Sequence, residues 1–372
     1  METVGYKLEN SVRAYSFDEL LFLPGFARMS PKDIDLSFTL DGLNLKVPLI
    51  SAPMDTVTEA DMAIALALKG GLGVIHRNCT VEEAVEMVEK VKRAKIPSEC
   101  NDIAIKDAKG RLAVGAGISP LDMARCTALS ERADLLFTDV TSFHNAKLME
   151  GTKNLIKETN KRLVIGNFGA AEGVAQAVKE LGAENIAAIK VGMGGGSICT
   201  TTDITGVGSP AAFAVEQAAR ALGELKLIDR IPIIADGGIR CAKDVAFCLG
   251  LGASLAMLGN LFARCEESPG ETVVKEGKRY KVYWGMGSAE ARKKRFALDR
   301  YQDYGKGKKI DEGIAMHVPI EGSVSNAVEK LTSELRVTMG YVGARNIREM
   351  REVSNIAVMA ARAPKVVADR GS

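Results

Sequence analysis

The chain has 372 residues, is 47% hydrophobic, and sets 49 Lys and Arg against 47 Asp and Glu for a net charge of +2. That is enough apolar material for a full core in one large domain or two smaller ones, and no block of like charge is present to hold a phosphate backbone or an anionic membrane. No apolar run reaches the roughly 18 residues needed to span a bilayer, and "METVGYKLENSVRAYSF" lacks a signal peptide's apolar stretch, so a cytoplasmic protein with no nucleic-acid or membrane partner is expected.

In chain order, short apolar runs recur, each ending in a small or polar residue: "VPLIS", "LGVIH", "LAVGAG", "LLFTD", "LVIGN", "AIKVG", "PIIAD" and "LAMLGN". Continuous rather than alternating hydrophobicity marks strands covered on both faces. Between them "DMAIALALKGG", "EEAVEMVEKVKRA", "EGVAQAVKELGAE" and "KDVAFCLGLGA" carry apolar positions at helical spacing, several closed by Gly. Eight alternating units predict an α/β fold, a (β/α)8 barrel of a single catalytic domain, with a doubly wound sheet as the alternative. Two segments break the repeat: residues 96–111 form a short bridge, and residues 285–322 form a long charged insert. The insert reads equally as an active-site flap or as a solvated excursion.

Barrel active sites lie at the C-terminal ends of the strands, which makes Ser51, His76, Asp139, Asn167, Gly192, Asp236 and Gly259 candidates. The glycine run after Gly192 lets backbone amides approach an anion, and "ADGGIR" and "MLGN" after the seventh and eighth runs suit a phosphate site. A phosphorylated ligand follows. Cys199, on that glycine-rich loop, is then placed to be a nucleophile with a lowered pKa, although an isolated Cys is more often a small buried hydrophobe. The seven cysteines are odd in number and without a CxxC, and there are three histidines, so a disulfide framework or a zinc site is not indicated. For Cys79, Cys100, Cys126, Cys241, Cys248 and Cys265 the structural reading is kept.

Five stretches together carry a resemblance: "SAPMDTVTEADMAIALALKGGLGVIHRNCT", "KVGMGGGSICTT", "PIIADGGIR", "YWGMGS" and "DRY" with "EGI" after it. From "YSFDELLFLP" to "MGYVGARNI" the chain resembles the inosine 5′-monophosphate dehydrogenase family. The resemblance implies oxidation of IMP to XMP with NAD+ in guanine nucleotide biosynthesis, by a homotetramer of barrels. By the same matching, Cys199 would form a covalent thioimidate at C2 of the base. Thr201 would hold a water that Arg300, with Tyr301, activates after NADH leaves. Ser197, Gly238, Gly259 and Tyr283 match the phosphate ligands, Asp236 the ribose acceptor, and Met286, Gly287 and Glu312 the base contacts. Ser51, Met54, Asn167 and Asn260 complete the substrate set. Asp139, Asn167 and Gly192 match the NAD side, and the carbonyls of Gly194, Gly196 and Cys199 match part of a potassium site.

The pattern departs from the family in three places, and in a fourth from its reductase sister. Only residues 96–111 stand where the family inserts a pair of CBS regulatory modules. "VTSFHNA" after Asp139 lacks the family's glycine and adds Phe143. The C-terminus "VMAARAPKVVADRGS" lacks the acidic, glycine-bearing segment that completes the potassium site. "GMGS" is followed by Ala289 and then Glu290, whereas GMP reductases place Glu directly there. GMP reductase, taking GMP to IMP with NADPH, remains the alternative activity, and a non-catalytic purine-nucleotide-binding paralogue the alternative of another class.

Overall fold

The computed structural model describes residues 11–294, 296–297, 300 and 310–359. Every one of the eight apolar runs contributes a strand: β1 (Leu49–Ser51), β2 (Leu72–Ile75), β3 (Gly115–Ile118), β4 (Leu135–Thr138), β5 (Leu163–Phe168), β6 (Ile186–Val191), β7 (Ile233–Asp236) and β8 (Leu255–Leu258). They pair in parallel and in sequence order, and β8 closes on β1 with Ala256 opposite Leu49 and Leu258 opposite Ser51. Closure makes the fold a (β/α)8 barrel and removes the doubly wound alternative. Most of the strand residues are buried, which is why the runs carry no polar alternation.

The outer layer comprises α1 (Ala60–Leu68), α2 (Val81–Arg93), α3 (Met123–Ser130), α4 (Ala146–Thr159), α5 (Ala171–Leu181), the short α6 (Thr201–Thr205), α7 (Ala211–Glu224) and α8 (Ala242–Leu251). After β8 come α9 (Asn260–Ala263), α10 (Ala289–Lys293), α11 (Val324–Val342) and α12 (Ile347–Val353). α2 shows why such segments are helical. Thr80 and Glu83 form a reciprocal capping box, acids occupy its first turn, and Lys90, Lys92 and Arg93 its last. Its buried face, Ala84, Val88 and Val91, is spaced to meet the barrel.

Three smaller sheets surround the barrel. A hairpin, Phe38–Leu40 with Leu43–Leu45, immediately precedes β1 and so lies at the end opposite the strand C-termini. Leu20–Leu23 pairs antiparallel with Asn355–Val358, and Phe22 of that ribbon stacks on Phe247 of α8 with ring centroids 4.4 Å apart. Thr272–Lys275, Lys278–Trp284 and Ala315–Pro319 form an antiparallel sheet after β8. The range 285–322, read from sequence as an irregular insert, therefore contains α10 and a strand. The sheet escaped notice because its exposed, Lys-bearing strands read as charged surface.

The bridge is packed rather than slack. Ala104 and Ile105 are buried, and the backbone of Lys106 pairs with that of Leu112. The buried Lys92 ammonium reaches Asp107 at 3.0 Å and Asp134 at 2.6 Å. Among the described residues no helix is long and apolar enough to cross a membrane.

Candidate active site

The C-terminal mouth of the barrel holds a cavity of about 1060 Å³. Its walls come from Ser16, Phe17 and Asp18 ahead of the barrel, from the loops after β1, β4, β6, β7 and β8, from Asn167 within β5, and from residues beyond β8 that include Tyr283, Gly285, Met286, Arg300 and Met316. The ends of β2 and β3 contribute none of the described wall residues. The reason is a polar lock over β2: buried Asp55 accepts from the Trp284 indole at 2.9 Å and from Asn78 at 2.9 Å, and Lys294 stands 3.3 Å away. Asn78 also donates to the carbonyl of Ala291 at 2.9 Å, so α10 is pinned across that side of the mouth.

Cys199 lies on the loop between β6 and α6 and is half-buried in the cavity wall. Its Sγ is 3.3 Å from the hydroxyl of Thr201, the first residue of α6. The loop is stitched to the returning stem of the insert. Ile314 donates to the Ile198 carbonyl at 3.0 Å, Thr200 to the Glu312 carbonyl at 3.3 Å, and Glu312 to the Gly287 carbonyl at 3.1 Å. Gly192 opens the loop at φ +116°, and a Cβ there would stand 2.1 Å from the Asp236 carbonyl oxygen, so no larger residue fits. Burial seals the thiols of Cys126, Cys248 and Cys265. It pushes Cys126 and Cys265 up to about 12 and Cys248 well above the ordinary value, keeping all three protonated.

A second pole of the cavity gathers Ser197, Gly238, Gly259, Asn260 and Tyr283. Asn260 donates to the Ser197 hydroxyl at 3.1 Å and accepts from Arg264 at 2.8 Å. Burial holds the Tyr283 phenol well above its usual range, against a hydrogen bond with Ser197 that works the other way, so it stays an O–H donor. Asp236 and Cys199 line the same cavity, so thiol, carboxylate and donor pole surround one space. Met54, Met286, Asn167, Gly192, Gly194, Gly196 and Arg300 complete the wall among the expected residues.

Six expected residues among those described are not on the wall. Ser51 is fully buried with its hydroxyl accepting from Thr58 at 2.8 Å. Thr201 is buried behind Cys199. Gly287 and Glu312 take part through backbone bonds. Asp139 is wholly buried between Arg77, 3.4 Å away, and the guanidinium of Arg300. His76 is buried too, accepting at Nδ1 from the Asn78 amide at 3.1 Å with Nε2 3.3 Å from Glu59. Tyr301 lies outside the described residues. Phe143, the residue added after Asp139, packs edge-on against Phe168 with centroids 5.4 Å apart and leaves the cavity untouched. Sequence reading passed over Arg77, Arg264 and Lys190. A lysine inside the apolar run "AIKVG" was the legible signal for the last.

Fold and site together define a (β/α)8-barrel protein with a cysteine-bearing glycine loop facing a cluster of hydrogen-bond donors suited to an anion. Residues 14–365 match the model of the IMP dehydrogenase / GMP reductase domain, and the chain belongs to that family. Among its relatives, the inosine-5′-monophosphate dehydrogenase of Korarchaeum cryptofilum is 33% identical over 93% of this chain and 94% of its own length. That of Methanocaldococcus jannaschii is 33% identical over 95% and 94%, and that of Cryptosporidium parvum 35% over 93% and 92%. The first alignment runs over 454 positions, more than this chain possesses, and the Cryptosporidium one over 378. The Korarchaeum relative thus carries residues for which this chain has no counterpart.

Proposed function

We propose that the protein oxidises IMP to XMP with NAD+, the step that commits a purine nucleotide toward guanine. The observation carrying this reading is the position of Cys199 in one cavity with Asp236 and the donor pole of Ser197, Asn260 and Tyr283. The phosphate would sit at that pole, with Gly238 and Gly259 offering backbone amides, and the ribose hydroxyls would donate to Asp236. The base would then lie between Cys199 and Met286, with Gly287 and Glu312 beyond it. At about 1060 Å³ the space exceeds what one mononucleotide fills, leaving room for a nicotinamide beside the base.

When bound there, NAD+ supplies the hydride acceptor. Cys199 as thiolate forms a carbon–sulfur bond at C2 of IMP, and the hydrogen on C2 leaves with its electron pair. Water then adds at the same carbon, the carbon–sulfur bond breaks, and XMP departs with the thiol restored. Thr201, whose hydroxyl lies 3.3 Å from Sγ, would hold that water, and Arg300, on the cavity wall, would take its proton. Asp139 would receive the dinucleotide ribose only once Arg300 has moved, because that guanidinium now covers it. Gly194, Gly196 and Cys199 offer backbone carbonyls to a potassium ion. The Gly196 oxygen already accepts from the Cys199 amide at 3.0 Å, so this loop would supply only part of a coordination shell. The homotetramer and the cytoplasmic location belong to the same reading and rest on the family.

The reductase alternative is less favoured, since the relatives above are named dehydrogenases and Ala289 stands where that activity places Glu. Mixing the protein with IMP and NAD+ should generate NADH, while GMP with NADPH should give none. Cys199→Ala should abolish NADH formation and still be stabilised against thermal unfolding by IMP. NADH formation by that variant above background would remove the nucleophile assignment.

A further inference from the structure

β6 is buried along its whole length and yet carries a lysine. Lys190 is 1% exposed, and its Nζ lies 3.1 Å from Oδ2 of Asp236 and within hydrogen-bond contact of the Asn167 side-chain oxygen. The Asn167 amide in turn donates to the same Oδ2 at 2.9 Å and to the Gly192 carbonyl at 2.8 Å. Two donors therefore converge on one oxygen of Asp236. Its other oxygen, Oδ1, has no hydrogen bond among the described residues, and the side chain, 20% exposed, borders the cavity.

From this arrangement we infer that Lys190 is a positioning residue for nucleotide recognition: it fixes Asp236 by Oδ2 so that Oδ1 is presented to the vicinal hydroxyls of a ribose. The inference rests on the assignment of Asp236 to the IMP ribose. An ammonium removed from water needs a counter-charge and acceptors, and Asp236 with Asn167 provides both. The backbone is built for the contact. Gly166 faces Lys190 across β5 and β6, and a Cβ on it would stand 2.2 Å from the Lys190 carbonyl oxygen. A glycine there lets the strands approach closely enough for Asn167 to reach the ammonium. A carboxylate held by one oxygen loses little freedom when the other accepts a substrate hydroxyl, so fixing it favours binding. Because the lysine is sealed below the site, it acts on the ligand only through these two partners.

The test compares kcat/KM for IMP and for 2′-deoxy-IMP in the wild type, Lys190→Met, Asp236→Asn and the double variant. The wild type should prefer IMP, and Lys190→Met should lower that preference by about tenfold or more, mainly through KM for IMP. In the Asp236→Asn background, adding Lys190→Met should leave the preference where it is, since the residue then has no carboxylate to hold. That second pair contains no lone buried carboxylate and serves if Lys190→Met alone does not fold. An unchanged preference in Lys190→Met, or an equal further loss in the Asp236→Asn background, would overturn the inference. A wild type that turns over IMP and 2′-deoxy-IMP equally would overturn it together with the ribose assignment.

Discussion

Arg300 stands between two roles that one side chain cannot fill at once. Its guanidinium pairs with Asp139, and its backbone carbonyl accepts both the amide and the hydroxyl of Thr141, at 3.2 Å and 2.8 Å. Asp139 is further held by Arg77, which donates to its carbonyl at 3.0 Å and 2.9 Å. With Arg300 in place the carboxylate is sealed, and a dinucleotide ribose has nothing to donate to. The residue should therefore matter after hydride transfer and not before it. Arg300→Ala is expected to release a burst of one NADH per active site and then turn over roughly 10²–10⁴-fold more slowly than wild type. The trapped adduct would appear as added mass on the peptide containing Cys199. Loss of the burst itself would place Arg300 in the first half of the reaction.

Among the elements, the bridge between β2 and β3 invites the clearest experiment. Burial works against the Asp107 carboxylate, but the Arg111 amide, the Lys92 ammonium and the Arg111 side chain outweigh it and hold its pKa at about 2. A carboxyl depressed below its ordinary 3.8 stabilises the fold fully above that value, and the contribution is lost as pH falls through about 2. Asp107→Asn leaves the buried Lys92 with one carboxylate fewer and should cost about 2–4 kcal/mol at neutral pH. In chemical denaturation the gap between variant and wild type should narrow as pH falls through about 2, where the Asp107 carboxyl takes up its proton. A gap independent of pH would mean that the packing of the bridge, and not its charge, was disturbed. Nothing in "IPSECNDIAIKDAKGR" announced this, because a charged run reads as a solvated surface until the helix that buries Lys92 is known.

At the scale of the whole molecule, the barrel was legible because strands covered on both faces must be continuously apolar, and eight such runs appear in order. The cysteine loop was legible because backbone that bends so sharply and approaches so closely needs glycine. What escaped depends on contacts distant in sequence. Ser51 ends β1, and His76 and Asp139 directly follow β2 and β4, yet Thr58, Glu59 and Arg300 lie against them. The donor pole could be anticipated residue by residue; a lysine within "AIKVG" was legible too, but neither its meeting with Asp236 nor the brace at Arg264 was. Strand periodicity says which residues are buried and not which buried residues meet.

The ribbon joining Leu20–Leu23 to Asn355–Val358 has a topological consequence. The Met359 amide donates to the Glu19 carbonyl at 2.9 Å, so the last described residue lies beside a segment close to the first. Order along the polypeptide is then separable from order in space. A circular permutant that joins residue 11 to residue 359 through a flexible linker and opens between Lys109 and Gly110 should refold to the same barrel. Those residues form an exposed turn, with Gly110 at φ +76° and no heavy atom within 4 Å of where its Cβ would be. Circular dichroism and NADH formation matching the parent would show that the cut falls where the architecture is indifferent to covalent continuity. A permutant that stays unfolded would show that the bridge must be made as one piece before the barrel can close.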